Sequence, residues 1–415
     1  MSRVVVIGGG VIGLSCAYHL ARQGHQIVLL DRGDLGGACS SGNLGWVVPS
    51  LSEPLPAPGL TWASLKWMLS PDSPLYIDPR FAVHAPGWLW RFWRHCNSRD
   101  YARGLEAIAA LNRPTFELYE RLRADGVRFE LHRQGLLFLF LTRDALEESL
   151  LGFERLAALG QSAPEQLSRD AVLALEPSLS PRVQRGVFAS DECHVQPSTL
   201  CAGLVERLRG LGAAIYAGVE VTGAERRAGR LKAVHASGGP FDGDVFLIAA
   251  GAWSERLARR FGFQLPVKAG KGYSVTITQP AVRPNRPFYL YERRVGVSPF
   301  DSGLRLGGTM ELSGNNGQIP RSRIAAIRRA AELYCPGSAT GAAQVEWTGM
   351  RPLTPDGLPA IGRAPGWDNL YVATGHAMLG VTLAPVTGLA LAELIAGGSS
   401  SFDLRPFDPG RFALA

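Results

Sequence analysis

The chain opens on a short β-branched run, Val4-Val5-Val6-Ile7, the pattern of a strand buried on both faces of a parallel sheet. Residues 11–23 switch to helical spacing: Leu14, Ala17, Tyr18, Leu20 and Ala21 share one face, and Gly24 stands where a helix-ending glycine is expected. Residues 26–30 return to the strand pattern and end at Asp31. This is the beginning of a βαβ unit. Further on, residues 101–125, 144–159, 197–211 and 321–334 read as helices. The six-residue apolar run at 136–141 reads as a buried strand, as do 213–221 and 244–251, the latter ending in small residues. Segments 272–279 and 294–310 alternate like antiparallel strands. Gly-Asn-Asn-Gly at 314–317 is a loop, 370–374 is a last buried strand, and a helix follows Gly375 to about residue 396.

From about 49 to 100 the pattern breaks. Pro49, Pro54, Pro56, Pro58, Pro71, Pro74, Pro79 and Pro86 interrupt regular structure, and Trp62, Trp67, Trp88, Trp90 and Trp93 cluster there. Parallel-type strands thus lie at both ends and in the middle, with antiparallel material between. The expected fold is α/β: a discontinuous Rossmann-type dinucleotide-binding domain of residues 1–50, 190–260 and 345–415. An α+β substrate-binding domain of residues 51–189 and 261–344, built on an antiparallel sheet, is inserted into it.

Composition narrows the picture. With 415 residues, 46% of them hydrophobic, the chain is ample for a large core and resembles no disordered or fibrous sequence. Of 43 basic residues only Lys66, Lys232, Lys268 and Lys271 are lysine, and the formal charge is a modest +7. A solvated arginine-rich surface accounts for that, as would contact with an acidic membrane surface or capture of an anionic substrate. Cys16, Cys39, Cys96, Cys193, Cys201 and Cys335 form no C-x-x-C pair and no zinc-like spacing with histidine, so free thiols and no metal centre are expected. No apolar run reaches about 18 residues, and the N-terminus runs into a glycine turn rather than a cleavage site. The expected location is cytoplasmic, with room for a peripheral contact on the inner face of the membrane. The stretch from Gly87 to Arg94, which mixes tryptophan with arginine, suits a membrane interface. It equally suits helices capping the second domain.

The first chemical signal is Gly8-Gly9-Gly10-Val11-Ile12-Gly13, a G-x-G-x-x-G between a strand and a helix. Gly8 permits the turn, Gly10 lets backbone approach a pyrophosphate, and Gly13 allows helix–strand contact. The helix start offers N–H groups and partial positive charge to the phosphate. Asp31, 18 residues after Gly13, can accept from the ribose hydroxyls. The fingerprint serves FAD and NAD alike. The proline- and tryptophan-rich interruption, and the return of nucleotide-type segments at 213–221, 244–254 and 370–388, favour FAD.

At this point the chain resembles the D-amino-acid oxidase superfamily of flavoproteins, most closely its bacterial D-amino-acid dehydrogenase branch. The resemblance runs through nearly the whole length. It rests on the glycine fingerprint, Ser40-Ser41-Gly42-Asn43-Leu44-Gly45, Pro49-Ser50, Ala57-Pro58-Gly59 and Ala249-Ala250-Gly251-Ala252-Trp253-Ser254. It continues in Lys271-Gly272-Tyr273-Ser274, the block from Gly349 to Gly357, and Thr374-Gly375-His376. It implies FAD held noncovalently in an extended pose. Gly8, Gly10, Val11, Ile12, Gly13, Asp31 and Arg32 would hold the adenosine and pyrophosphate. Ser40, Ser41, Asn43, Leu44 and Gly45 would pass the flavin, and Val221 would lie by the adenine. Ala250, Gly251, Trp253, Arg351, Gly375, His376, Leu379, Gly380 and Thr382 would complete the site. Sarcosine-oxidase relatives attach flavin through a cysteine near Arg351, but residues 345–354 contain none.

The resemblance also implies a small substrate with a carboxylate, for which Arg351 is the candidate anchor: only arginine offers a planar, permanently charged pair of donors. Tyr273, Tyr289 and Tyr291 are candidates for a lid or second carboxylate donor, or are strand residues packing the core. Lys271 is either a positive group near the flavin or a solvated lysine. His376 would lie near the flavin, with proton transfer a lesser role. The expected reaction is oxidative deamination of a small amino acid, a D-amino acid first, to the imine and 2-oxo acid by hydride transfer to flavin. Electrons would then pass to a quinone or similar acceptor. Alternatives are a D-proline or D-hydroxyproline dehydrogenase, an oxygen-using glycine- or sarcosine-type oxidase, and a non-catalytic flavin-binding subunit. An RNA-binding flavoprotein is the remote reading. It needs one clustered basic face, whereas the arginines are spread along the chain, so no nucleic-acid partner is expected.

Overall fold

The computed structural model describes residues 1–60, 73–227 and 229–413; Trp62, Trp67 and Pro71 lie outside the described residues. β1 (Arg3–Ile7), α1 (Val11–Arg22) and β2 (Gln26–Leu30) form as the pattern predicts, and Gly24, at φ 84°, follows the end of α1. β1 is central in a six-stranded sheet whose order is Ala214–Tyr216, β2, β1, Val245–Ile248, Leu370–Thr374, Ala360–Arg363. The first five strands are parallel and the last is an antiparallel edge. Val4 and Val6 enter one core, Val5 and Ile7 the other, which is why the run shows no polar alternation.

The second sheet carries β3 (Lys268–Pro280), β4 (Gly303–Leu312) and β5 (Gly341–Leu353). Its order is β5, β3, β4, Val295–Phe300, Phe288–Leu290, Leu136–Phe140, Arg185–Ala189, Glu165–Leu167, with Leu75–Ile77 added beside β4. It is mixed rather than antiparallel throughout. Phe288–Leu290 pairs parallel with Leu136–Phe140, and Leu75–Ile77 runs parallel to β4. Both exceptions join strands distant in sequence, so no hairpin imposes their direction.

Where the sequence predicts one helix over 101–125, the chain forms Ser98–Asn112 and Thr115–Ala124, separated by Arg113 and Pro114. Pro114 supplies no backbone donor to continue the first helix. The strand expected over 213–221 stops at Tyr216; Gly218, at φ 74°, turns the chain, and Val221 opens a separate three-stranded meander that reaches Asp242.

α2 (Gly380–Gly397) packs along α1 and buries eleven of its residues. No continuous apolar run was expected to be long enough to span a bilayer. α2, with mean hydropathy 1.5 over 18 residues, is long and apolar enough, but it is a core helix, 61% buried. Pro385 lies inside α2 and leaves the Val381 carbonyl without its helical donor. The Tyr119 hydroxyl donates to that carbonyl at 2.7 Å. Through this bond the 98–124 helices join the nucleotide-side core, where Ile108, Leu111, Leu118 and Leu122 pack with α1 and α2. Residues in the expected 51–189 segment therefore help support the parallel sheet, and the expected boundary at 345 falls within β5.

Candidate active site

A cleft of about 1160 Å³, partly open to solvent, runs across the C-terminal ends of the parallel strands. That is where a doubly wound sheet presents its ligand crevice. Gly8, Gly10, Val11, Ile12, Asp31, Arg32, Ser40, Asn43, Val221, Ala250, Gly251, Trp253, Arg351, His376 and Gly380 all line it.

At the adenosine end, Asp31 accepts from the Gly9 N–H at 2.7 Å and the Gly33 N–H at 2.8 Å, so its carboxylate ties the glycine turn to the loop after β2. A carboxylate has about four lone-pair sites, which leaves capacity for two ribose hydroxyls. Arg32 lies over the Trp253 ring at 4.3 Å and closes the adjacent wall. Gly13 does not reach the cleft. A Cβ there would lie 1.9 Å from the Gly8 carbonyl oxygen, so it permits helix–strand contact as expected. At the start of α1 the Val11 N–H donates to Ser40 Oγ at 3.1 Å. The bare turn backbone, the helix start and the Asp31 carboxylate fit a dinucleotide.

The 40–45 loop is held from behind. Arg305 donates to the Ser41 and Asn43 carbonyls at 2.9 and 2.7 Å, and Ser298 donates to the Leu44 carbonyl at 2.8 Å. Gly45 has φ 73°, and a Cβ there would sit 1.8 Å from the Val195 carbonyl oxygen. Thr382 accepts from the Val48 N–H at 3.2 Å and donates to the Trp46 carbonyl at 3.1 Å, fastening the loop to α2. Ser41, Leu44, Gly45, Gly375, Leu379 and Thr382 therefore shape the cleft without lining it.

Arg351 sits on β5 against Gly272 of β3, where any Cβ would come 2.1 Å from Nη1. Its Nη1 donates to the Thr309 carbonyl at 2.8 Å. Burial pushes its pKa down to about 10, while Cys39 and Tyr289 act in the opposite sense; no carboxylate is among these influences. It stays charged at neutral pH with donors to spare. Two of the four non-glycine residues with positive φ among the described residues, Thr309 and Ala377, bond to Arg351 and to its neighbour Pro352; such strain concentrates at functional sites.

The tyrosines divide. Tyr273 is 1% exposed and donates to Glu311 Oε2 at 2.8 Å, inside a network that includes Arg323 and Lys271. It is a core residue away from the cleft. Lys271 is neither solvated nor on the cleft wall: it is buried, with Nζ 2.7 Å from Asn316 Oδ1 and 3.5 Å from Glu311. Tyr289 is close enough to Arg351 to act on its charge, and Tyr291 packs edge-on to Tyr289 at 6.3 Å.

His376 follows Gly375 at the mouth of α2 and lines the cleft. Burial pushes its pKa down to about 3, so it is neutral; Nε2 lies 3.0 Å from Thr387 Oγ1 and Nδ1 has no partner. Sequence reasoning passed over Cys39, which lines the cleft, donates to the Met350 carbonyl at 2.7 Å and is pushed up to about 11 by burial. It also passed over Arg305, for which 39 arginines without a motif gave no signal. Outside the cleft, Glu130, His132 and Asp301 bring ligand atoms within 4.8 Å, with His132 Nε2 already 2.7 Å from Glu130.

Residues 3–394 match the family model described as FAD dependent oxidoreductase. The chain is 33% identical over 408 residues to a D-amino acid dehydrogenase of Methylobacterium nodulans, covering 95% of each chain. It is 31% identical to one of Chromohalobacter salexigens, covering 99% of this chain and all of that one. Among solved structures it resembles glycine oxidase from Geobacillus kaustophilus (TM-score 0.79, 24% identity, 99% of both chains). It also resembles L-proline dehydrogenase from P. horikoshii (TM-score 0.76, 19% identity, 100% and 98%). The chain thus belongs to the FAD-dependent oxidoreductase family.

Proposed function

We propose that the enzyme oxidises a small α-amino acid, a D-amino acid first, to its imine, which water hydrolyses to the 2-oxo acid and ammonia. A proline analogue would instead leave a cyclic imine. The observation that carries the reading is Arg351, a charged guanidinium on the cleft wall with no carboxylate among the groups acting on it. The relatives named D-amino acid dehydrogenase support the substrate class.

Bound FAD supplies the two-electron acceptor for the substrate's Cα hydride. The chain's own residues bind, orient and exclude water. Arg351 takes the substrate carboxylate in a forked pair of hydrogen bonds. Tyr289 offers a phenol beside it. His376 is neutral, and with Cys39 pushed up to about 11 neither group beside the cleft titrates near pH 7. The substrate amine therefore loses its proton to solvent rather than to a side chain. The start of α2 at Gly380 presents partial positive charge to that end of the cleft.

The protonated Cys39 thiol, a poor nucleophile, supports noncovalent binding of the cofactor. A quinone or similar acceptor at the inner membrane face would take the electrons. In support of a membrane contact, the Pro86–His95 helix buries Trp88 but leaves Trp90 and Trp93 53% and 57% exposed, with Arg94 4.8 Å over Trp90. The test is anaerobic bleaching of the flavin against a panel of D- and L-amino acids. D-alanine or hydroxy-D-proline should bleach it, and a flavin reduced by no amino acid sinks the reading. Peroxide formed in air without added dye would identify an oxidase instead.

A further inference from the structure

We propose that Glu130, His132 and Asp301 form a binding site for a divalent transition-metal cation of the zinc class, which fastens a small three-stranded sheet to the second sheet. Glu130 and His132 flank Leu131 at the edge of the small sheet. There Leu131–His132 pairs with Cys193–Val195, and that strand pairs with Trp46–Val47. Asp301 lies 171 positions beyond Glu130, in the turn between Val295–Phe300 and β4. One ligand atom from each residue lies within 4.8 Å of the other two. His132 Nε2 is 2.7 Å from Glu130 Oε1 and 3.8 Å from Asp301 Oδ1. Zinc bonds of about 2.0–2.2 Å in tetrahedral geometry set ligand atoms about 3.3–3.6 Å apart, so the three close on a cation with shifts of about 1 Å or less.

The surroundings hold the ligands in place. The Asp301 N–H donates to Glu130 Oε1 at 2.8 Å, which ties the turn to the strand. The His132 ring stacks on His194 at 4.8 Å and 20°, and His194 is buried with Nε2 2.8 Å from the Pro299 carbonyl oxygen. Independently, a buried oxygen at the same turn has no partner. Gln196 is 4% exposed; its N–H donates to the Glu130 carbonyl at 3.0 Å and its Nε2 to Ser302 Oγ at 3.1 Å, next to Asp301, while its Oε1 is left unsatisfied. Buried acceptors of that kind are rare in folded proteins. A bound cation, or a water held on it, supplies what this oxygen lacks. The side chains of Glu130 and His132 are 13% and 20% exposed and that of Asp301 75%, so a cation can enter from solvent. One imidazole with two carboxylates suits zinc and its neighbours better than magnesium or calcium, which take oxygen ligands. The proton between His132 and Glu130 leaves to solvent as the cation takes its place. The cation would join the sheet that carries Trp46–Val47 to the hairpin that carries Ser298 and Arg305, whose side chains hold the 40–45 loop.

The experiment titrates FAD-loaded enzyme, stripped of metal with a chelator, with zinc chloride by calorimetry. The wild type should bind one zinc ion per chain. Asp301→Asn should weaken that binding at least about tenfold and His132→Asn further still, since even the outer partners of metal ligands are worth about 10–100-fold. The Asp301 side chain is exposed, so this variant carries the test if His132→Asn fails to fold. Zinc at about a hundred times its wild-type Kd, with FAD saturating, should raise the melting temperature by about 3 °C in the wild type and by about half that in Asp301→Asn. Zinc bound equally well by wild type, Asp301→Asn and His132→Asn is held elsewhere, by the thiols, and would overturn the proposal. So would a wild-type enzyme that takes up no zinc below millimolar concentration.

Discussion

Glu192 offers a test of how this core handles charge. It is 4% exposed, in the turn between Arg185–Ala189 and Cys193–Val195. Oε1 accepts from the Ser50 N–H at 2.9 Å; Oε2 and the Ser50 hydroxyl have no partner. Burial pushes its pKa up to about 8, with Asp191 adding to the shift and the hydrogen bond from the Ser50 N–H opposing it. An ordinary glutamate, as in the unfolded chain, titrates at 4.5. The folded state thus keeps a proton that the unfolded state releases between these values. The stability this contributes is complete below pH 4.5 and is lost as pH rises through 8. At about 1.4 kcal/mol per pH unit, the interval from pH 5 to pH 8 costs on the order of 4 kcal/mol.

Glu192→Gln keeps the acceptor for the Ser50 N–H and removes the titration. Unfolding entropy of roughly 2.1 cal/mol/K per residue gives about 0.9 kcal/mol/K for 415 residues. The melting temperature of the variant minus that of the wild type should therefore grow by about 4 °C between pH 5 and pH 8. The assay is thermal melting at fixed, saturating FAD, because bound ligand shifts the midpoint by mass action. Taking the difference between proteins cancels every other titrating group. A difference that stays flat within about 1 °C would refute the argument that this carboxyl is buried and protonated.

Gly45→Ala should cost about 1–2 kcal/mol for its left-handed conformation alone, and more for displacing the Val195 carbonyl; reduced FAD content of the purified protein checks it. Asp31→Ala frees the Gly9 and Gly33 N–H groups as well as removing an acceptor, so FAD should bind at least tenfold more weakly by fluorescence titration. With His376 pushed down to about 3, the rate of flavin reduction should show no limb from this histidine between pH 5 and 8; a limb there that vanishes in His376→Asn would contradict its neutral state. Trp90→Ala with Trp93→Ala should lower sedimentation with anionic vesicles while leaving the melting temperature within about 1 °C, since both rings are already exposed.

The cofactor half of the site was legible because its chemistry is written in backbone. The Gly8-to-Gly13 turn needs missing side chains at fixed spacing, and Asp31 follows at a fixed distance along one βαβ unit. The proposed substrate half, around Arg351, lies on β3, β4 and β5, which meet only through long-range pairing. Strand alternation could not tell Tyr273, whose hydroxyl is committed to Glu311, from Tyr289, whose hydroxyl is not. Nor could it show that the second sheet mixes directions, since Phe288–Leu290 and Leu136–Phe140 are some 150 residues apart in sequence and meet without a hairpin. Pro385 is an instructive intermediate. As a residue it announces a lost helical bond, but only the packed Tyr119 shows what replaces it.

The same contrast explains why the cleft holds its shape. Loops that carry function are ordinarily the mobile parts of a protein. Here the 40–45 loop is tied to the second sheet by Arg305 and Ser298 and to α2 by Thr382. The segment therefore bridges the second sheet and α2. Arg305 is buried, its pKa pushed down to about 10 by that burial, and it donates to two loop carbonyls and Thr276. A charge buried at that cost is retained where it holds something in place. What it holds here is the 40–45 segment, whose Ser40 and Asn43 line the cleft. The sequence could show that segment only as a block of small residues; the arginine that fastens it comes from a distant strand.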